Sequence, residues 1–345
     1  MLVAVEIVLL AAHLMCMNVA AGAPLVAVWL EWKDRRGDAI APRAARYLAK
    51  CAAVALLAGS VLGLALGWLR WTPEYQTIWQ VQLADKLRWG IRELIVSLVT
   101  LLIYLVWRRV ELPTRFGFIG RSCLLLLTGT NLLYHFPPLL IVANKFADGA
   151  IPRSIEIPGN IVTAQVFRQL MLLDETPALW IHFGLASIAM GGLVLLGLSL
   201  RRLKSDEDPR GAKRIAAWGG WSAFIPTCLQ LLVGLWLLVA TPPDMQSQLT
   251  GSALGPTACL ITSLVLVVWL LRELAEVTLG EPTRGGLIRA MIAMTLVIVL
   301  MTAARQLSRP RQDRVVARDQ ARMQLFVSPN FYVCTFDGQA RSLSY

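Results

Sequence analysis

The stretch VLLAAHLMCMNVAAGAPLVAVWLEW, residues 8–32, decides the fold. From Val8 to Leu30 it holds no formally charged residue, and as a helix rising about 1.5 Å per residue it is long enough to cross roughly 30 Å of hydrocarbon. It also carries His13 at a depth where no water hydrates an imidazole. The chain has only three histidines, and the other two sit in similar surroundings: His135 in GTNLLYHFPPLLIVANKF (129–146) and His182 in ALWIHFGLASIAMGGLVLLG (178–197).

The rest of the chain extends this pattern. Hydrophobic residues make up 56% and charged residues 16% of the 345, and the mean hydropathy is +0.59, more than a water-soluble core requires. The chain reads as an all-α integral membrane protein. Apolar windows near 2–30, 47–70, 90–107, 122–144, 178–200, 215–240, 252–271 and 286–304 predict eight transmembrane helices.

Charge sets the orientation, because Lys and Arg in short loops favour the cytoplasmic side. The loops after spans 1, 3, 5 and 7 hold 19 Lys plus Arg, against six in the opposite loops near 70–88, 145–177 and 241–250. Both termini are therefore expected on the outer side of a bacterial cytoplasmic (inner) membrane. The net charge of +11 is a topology signal, and no aromatic-interleaved basic patch points to nucleic acid. The arginines of RQLSRPRQDRVVARDQAR, from Arg305, run against this assignment for span 8. The first apolar run lacks a basic n-region and is twice the length of an h-region, so it is read as a retained span, not a cleaved signal.

Six cysteines (Cys16, Cys51, Cys123, Cys228, Cys259, Cys334) form no C-x-x-C pair, which spells neither a zinc nor an iron–sulfur site, and no C-x-x-C-H motif attaches a c-type haem. They read as small core residues. No H-E-x-x-H, P-loop, G-x-S-x-G or dinucleotide fingerprint is present. The glycines of GSVLGLALG (59–67) and GGLVLLG (191–197) read as points of close helix packing.

On the eight-span topology all three histidines fall in the outer half of the membrane. A neutral imidazole there needs both nitrogens satisfied, by interhelical hydrogen bonds, a proton path, or a metal or haem iron. Three at one level favour haem, since an iron in a helical bundle takes axial ligands from facing helices.

In order and topology, residues 1–240 resemble subunit I of the cytochrome bd type of terminal oxidase. The resemblance rests on His13 followed by an apolar run to Glu31, on the TGTNLLYHFPPLLIVANKFADGAI span with LIVAN at 140–144, on IHFGLASIAMGGLVLLGLSLRRL, and on GSVLGLALGW followed by RELIVSLVTLLIYLVWRR. It implies that His13 ligates a haem of an oxygen-reactive di-haem site and that His182 ligates a low-spin b haem. Glu93 stands, about a turn out of register, for a third-span carboxylate that ligates iron or passes protons; paired with Arg92 or Arg88 it would instead be interfacial.

The sequence also departs from that family. The segment after span 6, ATPPDMQSQLTGS, is too short for the family's external quinol-binding region. No methionine aligns with the family's second axial ligand, which leaves Met301, Met294 and Met291 as candidates, Met301 first. His135 is an extra histidine that could supply the missing ligand.

The expected protein is a haem-binding subunit of a bd-like oxidoreductase. It would carry one to three b-type haems (haem d among the options) and pass electrons near the outer face to oxygen or onward. Its donor would be a cytochrome c or another respiratory subunit rather than quinol. The alternative is a haem-free polytopic transporter or assembly subunit with hydrogen-bonded histidines; Pro137-Pro138 and Pro226 interrupt spans as such folds do, but no repeat between the halves is legible. The expected organisation is a four-helix membrane bundle (1–145), an external loop (146–177), a second membrane helical group (178–304) and an external tail (305–345). The aromatic-rich MQLFVSPNFYVCTFDG (323–338) of that tail is expected to contact a partner.

Overall fold

The computed structural model describes residues 2–109, 115–152, 155–205 and 208–309; the tail stretch 323–338 lies outside them. Twelve α-helices follow in order among the described residues: α1 (Leu2–Arg35), α2 (Ala41–Leu69), α3 (Pro73–Thr77), α4 (Ala84–Trp107), α5 (Arg115–Tyr134), α6 (Phe136–Ala147), α7 (Ala164–Met171), α8 (Thr176–Ser205), α9 (Pro209–Ala240), α10 (Pro243–Ser247), α11 (Leu254–Leu279) and α12 (Arg284–Leu307). The described residues form no strand. Among the described residues, eight helical segments are long and apolar enough to cross a membrane, α5 and α6 counting as one broken span. All eight windows read from the sequence are borne out.

Local chemistry places the helix starts. Thr72, Thr163, Asp208 and Thr283 each accept a backbone N–H of the first turn, of Tyr75, Val166, Gly211 and Gly286. Pro73, Pro209 and Pro243 open α3, α9 and α10, where a missing N–H costs nothing. The large side chains at Val54, Leu57, Val61, Leu64 and Trp68 are exposed and recur at helical spacing along α2. In a bilayer this stripe meets lipid tails rather than water.

Residues 1–309 form one compact unit. One buried cluster joins Ala20, Leu30, Leu48, Leu101 and Leu125 of the first four spans to Leu195, Ile215 and Trp218 of α8 and α9. A second joins α8, α9, α11 and α12 through Leu196, Ala223, Leu274 and Ala290. The stretch read as an external loop, 146–177, carries α7, and Phe167 and Leu170 of that helix pack with Trp79, Leu83 and Val142 into a third, smaller core.

The halves repeat, which the sequence reading did not show. Pro73 and Pro243 open short helices, Ile78 and Gln248 open the π-helical turns after them, and Ala84 and Leu254 open the next spans, each pair separated by 170 residues. Two units of four spans enter from the same face, so they are parallel repeats about an axis along the membrane normal. The axis passes where α1 meets α8. Ser187 Oγ donates to Asn18 Oδ1 at 2.8 Å, and a Cβ on Gly191 would lie 3.0 Å from the Gly22 carbonyl oxygen. Asn18 and Ser187, like Gly22 and Gly191, are 169 residues apart; a contact between equivalent positions is the mark of a two-fold interface. Divergence of side chains hid the repeat, because only the backbone path and the small residues at the crossing are kept.

Candidate functional site

His13 and His182 are also 169 residues apart, and each lies five residues before the crossing contact, about 7.5 Å along its helix. The two rings therefore share a height but face opposite ways. His13 Nδ1 is 2.8 Å from the Gly59 carbonyl of α2. A carbonyl only accepts, so Nδ1 carries the proton and Nε2 keeps its lone pair. Gly63, one turn on, makes room: a Cβ there would stand 2.9 Å from His13 Cε1. The glycine-rich segment of α2 is thus a packing surface, as the sequence implied, and the imidazole nests in it.

His182 faces α9 and α12. Gln230 Nε2 is 3.4 Å from both His182 Nε2 and the His182 carbonyl oxygen, while Nδ1 is buried with no partner among the described residues. Arg305, near the end of α12, lies within electrostatic reach of the ring. Met301 is one turn earlier on the same stripe of α12.

His135 belongs to neither site. It caps α6 at the break in span 4, and its Nε2 donates to the Lys86 carbonyl at 3.0 Å. Nδ1 approaches Glu93 Oε2 at 3.2 Å without a well-aligned hydrogen bond. Phe167 stacks on the ring, and a Cβ on Gly90 would press its Cδ2 at 3.3 Å. Nε2 is hydrogen-bonded and Nδ1 stands against a carboxylate, so an iron at His135 would have to displace one of these neighbours. Glu93 pairs with His135 and not with Arg92 or Arg88; Arg92 lies over the Trp89 ring and Arg88 bonds Asp85. Asn131 Nδ2 donates to the Glu93 carbonyl at 2.8 Å and to Ser97 Oγ at 2.9 Å, tying α5 to α4 beside the pair.

Two charged clusters close the ends of the bundle. At the face where α1 begins and α12 ends, Glu6 binds Arg70 and accepts from Gln306 at 3.0 Å, and Lys145 lies 2.9 Å from Asp174 and 3.5 Å from Glu175. Burial holds the Arg309 guanidinium below its ordinary pKa, with Asp148 pulling the other way. At the opposite face Glu31, fully buried, accepts from Tyr104 Oη at 2.6 Å and Arg121 Nε at 2.9 Å, and Arg108 bridges it to Asp34. Burial opposes the Arg108 charge, but the bond to Asp34 and the charge of Glu31 outweigh it and raise its pKa. Sequence reading noted Glu31 only as the end of span 1; its partners lie 73 and 90 residues away.

Among the described residues no three His, Cys, Asp or Glu side chains converge as a protein-built metal centre needs. A haem, whose porphyrin supplies four ligands, needs one or two side chains; the Nε2 lone pair of His13 beside a glycine cradle fits that demand, and His182 offers Nε2, which the Gln230 amide approaches, as a second position.

The geometry defines an eight-span, all-α membrane protein built as two parallel repeats. Its fold is that of bd oxidase: it matches the bd oxidase structure from Geobacillus thermodenitrificans with a TM-score of 0.70 over 94% of this chain and 94% of that one, at 14% identity. No protein-family model and no curated protein sequence matches the chain.

Proposed function

We propose that this chain is a haem-bearing membrane subunit of a bd-type oxidoreductase, with one b-type haem held at His13 and another at His182. The observation that carries the reading is the placement of two histidines at equivalent positions of two repeats, at one height, each contacted by the second helix of its own hairpin. Such contacts to the ring are how proteins orient histidines that ligate iron. Haem in these places supplies one-electron exchange. Met301 is the second axial candidate at His182, and the site at His13 is the one where oxygen, and a haem d, would be accommodated.

The other residues act around that chemistry. With Nε2 of His135 donating to the Lys86 carbonyl, Nδ1 and the Glu93 carboxylate hold one proton between them. This makes Glu93 the proton-handling residue of the first repeat, and His135 its partner, not an iron ligand. Asn131 and Ser97 fix the backbone beside it. The Glu31 cluster locks the cytoplasmic end of the first repeat. The face carrying Glu6, Lys145 and Arg309 is the outer one in a bacterial inner membrane, where a cytochrome c or partner subunit delivers electrons.

The test is a reduced-minus-oxidised spectrum with pyridine haemochrome quantitation on wild type and on His13→Ala, His135→Ala and His182→Ala. Two haems per chain are expected, with one component lost in each of the first and third variants and none in the second. Well-folded protein without haem would overturn the reading in favour of a transporter or assembly subunit whose histidines are hydrogen-bonded.

A further inference from the structure

Gln230 of α9 does in the second repeat what Gly59 of α2 does in the first, from one residue further along the 170-residue register: each contacts the repeat's histidine from the second helix of its hairpin, 46 residues beyond His13 in one case and 48 beyond His182 in the other. The contacts are chemically different. Gly59 offers a carbonyl to Nδ1–H and leaves Nε2 open. Gln230 approaches the carbonyl oxygen of His182 with its amide nitrogen, and since that oxygen only accepts, the amide NH2 group must face it. The same NH2 group lies 3.4 Å from His182 Nε2, which therefore accepts, and the ring proton sits on the buried, unpartnered Nδ1.

Both histidines are thus the same tautomer with opposite availability. The Nε2 lone pair of His13 is open, while that of His182 is masked by an amide N–H. We propose that Gln230 is a positioning residue that governs loading of the second site: iron reaches His182 Nε2 only when the Gln230 amide turns aside, so the His182 site fills after the His13 site. This rests on the haem reading above.

Two substitutions separate the roles. Gln230→Ala removes the mask. Gln230→Glu puts an acceptor where the donor was, which moves the ring proton onto Nε2 and removes the lone pair. Haem content is to be resolved by component in purified full-length protein, with the His13 component as the internal control for folding. In Gln230→Ala the component lost in His182→Ala is expected at or above the wild-type level, and haem added to depleted protein should fill it at least several-fold faster. In Gln230→Glu that component is expected to disappear while the His13 component stays. Retention of both components at wild-type levels and filling rates in both variants overturns the proposal.

A second measurement needs no haem. Nitrogen NMR of haem-depleted protein labelled with ¹⁵N-histidine, which contains only three imidazoles, should show His182 protonated on Nδ1 in wild type and on Nε2 in Gln230→Glu. A wild-type His182 protonated on Nε2 also overturns it. If wild type binds no haem, the functional reading falls, and the nitrogen spectra still decide the Gln230 contact.

Discussion

The two repeats share a backbone and differ in what they bury. In the first, Glu31, Tyr104 and Arg121 form a closed charged lock at the end opposite the start of α1; at the corresponding positions of the second stand Leu200, Leu274 and Met291, all apolar. Nearer the other end, where α1 begins, Glu93, Asn131 and His135 of the first repeat correspond to Ser263, Met301 and Arg305 of the second. Span 4 is broken at His135 by Phe136-Pro137-Pro138, whereas α12 runs unbroken. One backbone plan thus carries two chemistries: a carboxylate–imidazole pair on one side of the axis, a thioether and a half-buried cation on the other.

The largest effect expected from breaking this comparison is at Glu31. Glu31→Leu, which copies the second repeat at one position, leaves Arg121 and Arg108 short of a buried counter-charge and should cost about 3–5 kcal/mol in detergent unfolding. Copying the second repeat at all three positions, with Glu31→Leu, Tyr104→Leu and Arg121→Met together, should recover most of that loss, since a well-packed apolar cluster replaces a buried ion pair at little cost. A triple variant no more stable than the single one would mean the lock does more than satisfy its own charges.

On the proposed haem reading, Glu93→Gln should lower any oxygen uptake by about a hundredfold, the usual scale for a proton-transfer residue, with both haem components intact. His135→Gln should do the same, which would distinguish a proton pair from an axial ligand.

At the axis, a Cβ on Gly22 would fall 1.7 Å from the Ser187 carbonyl oxygen. Gly22→Ala should therefore cost about 1–3 kcal/mol as α1 and α8 are forced apart, read by thermal unfolding. The matching Gly67→Ala, with open space around it, should change nothing measurable. The smallest effect is at the Asn18–Ser187 hydrogen bond, where Ser187→Ala should cost about 0.6 kcal/mol, the average for a polar contact between membrane helices.

Much of this molecule was legible in its sequence. The eight spans follow from length and hydropathy alone, because a bilayer accepts only helices that satisfy their own backbone. The small residues of α2 and α8 read as close-packing sites: Gly59, Gly63 and Gly191 touch Met17, His13 and Gly22, whereas Gly67 faces open space. His13 and His182 stood out because imidazoles are rare and costly at that depth. His135 stood out for the same reason, yet the structure gives it a carboxylate and a carbonyl. Nothing in its immediate neighbours distinguishes it from the other two, because what differs is Lys86 and Glu93, more than 40 residues away.

What the sequence determined by itself is therefore one-dimensional: which segments cross the membrane, which end of each span is charged, and which polar residues are submerged. The tertiary structure decided everything that depends on two segments meeting. It revealed the 170-residue repeat, which survives as geometry after the side chains have diverged. It separated three similar histidines into three environments, and it matched Glu31 with Tyr104 and Arg121. The physical reason is that burial is a property of a segment, whereas a hydrogen bond, an ion pair or an open lone pair belongs to a pair of segments, and only packing chooses the pair.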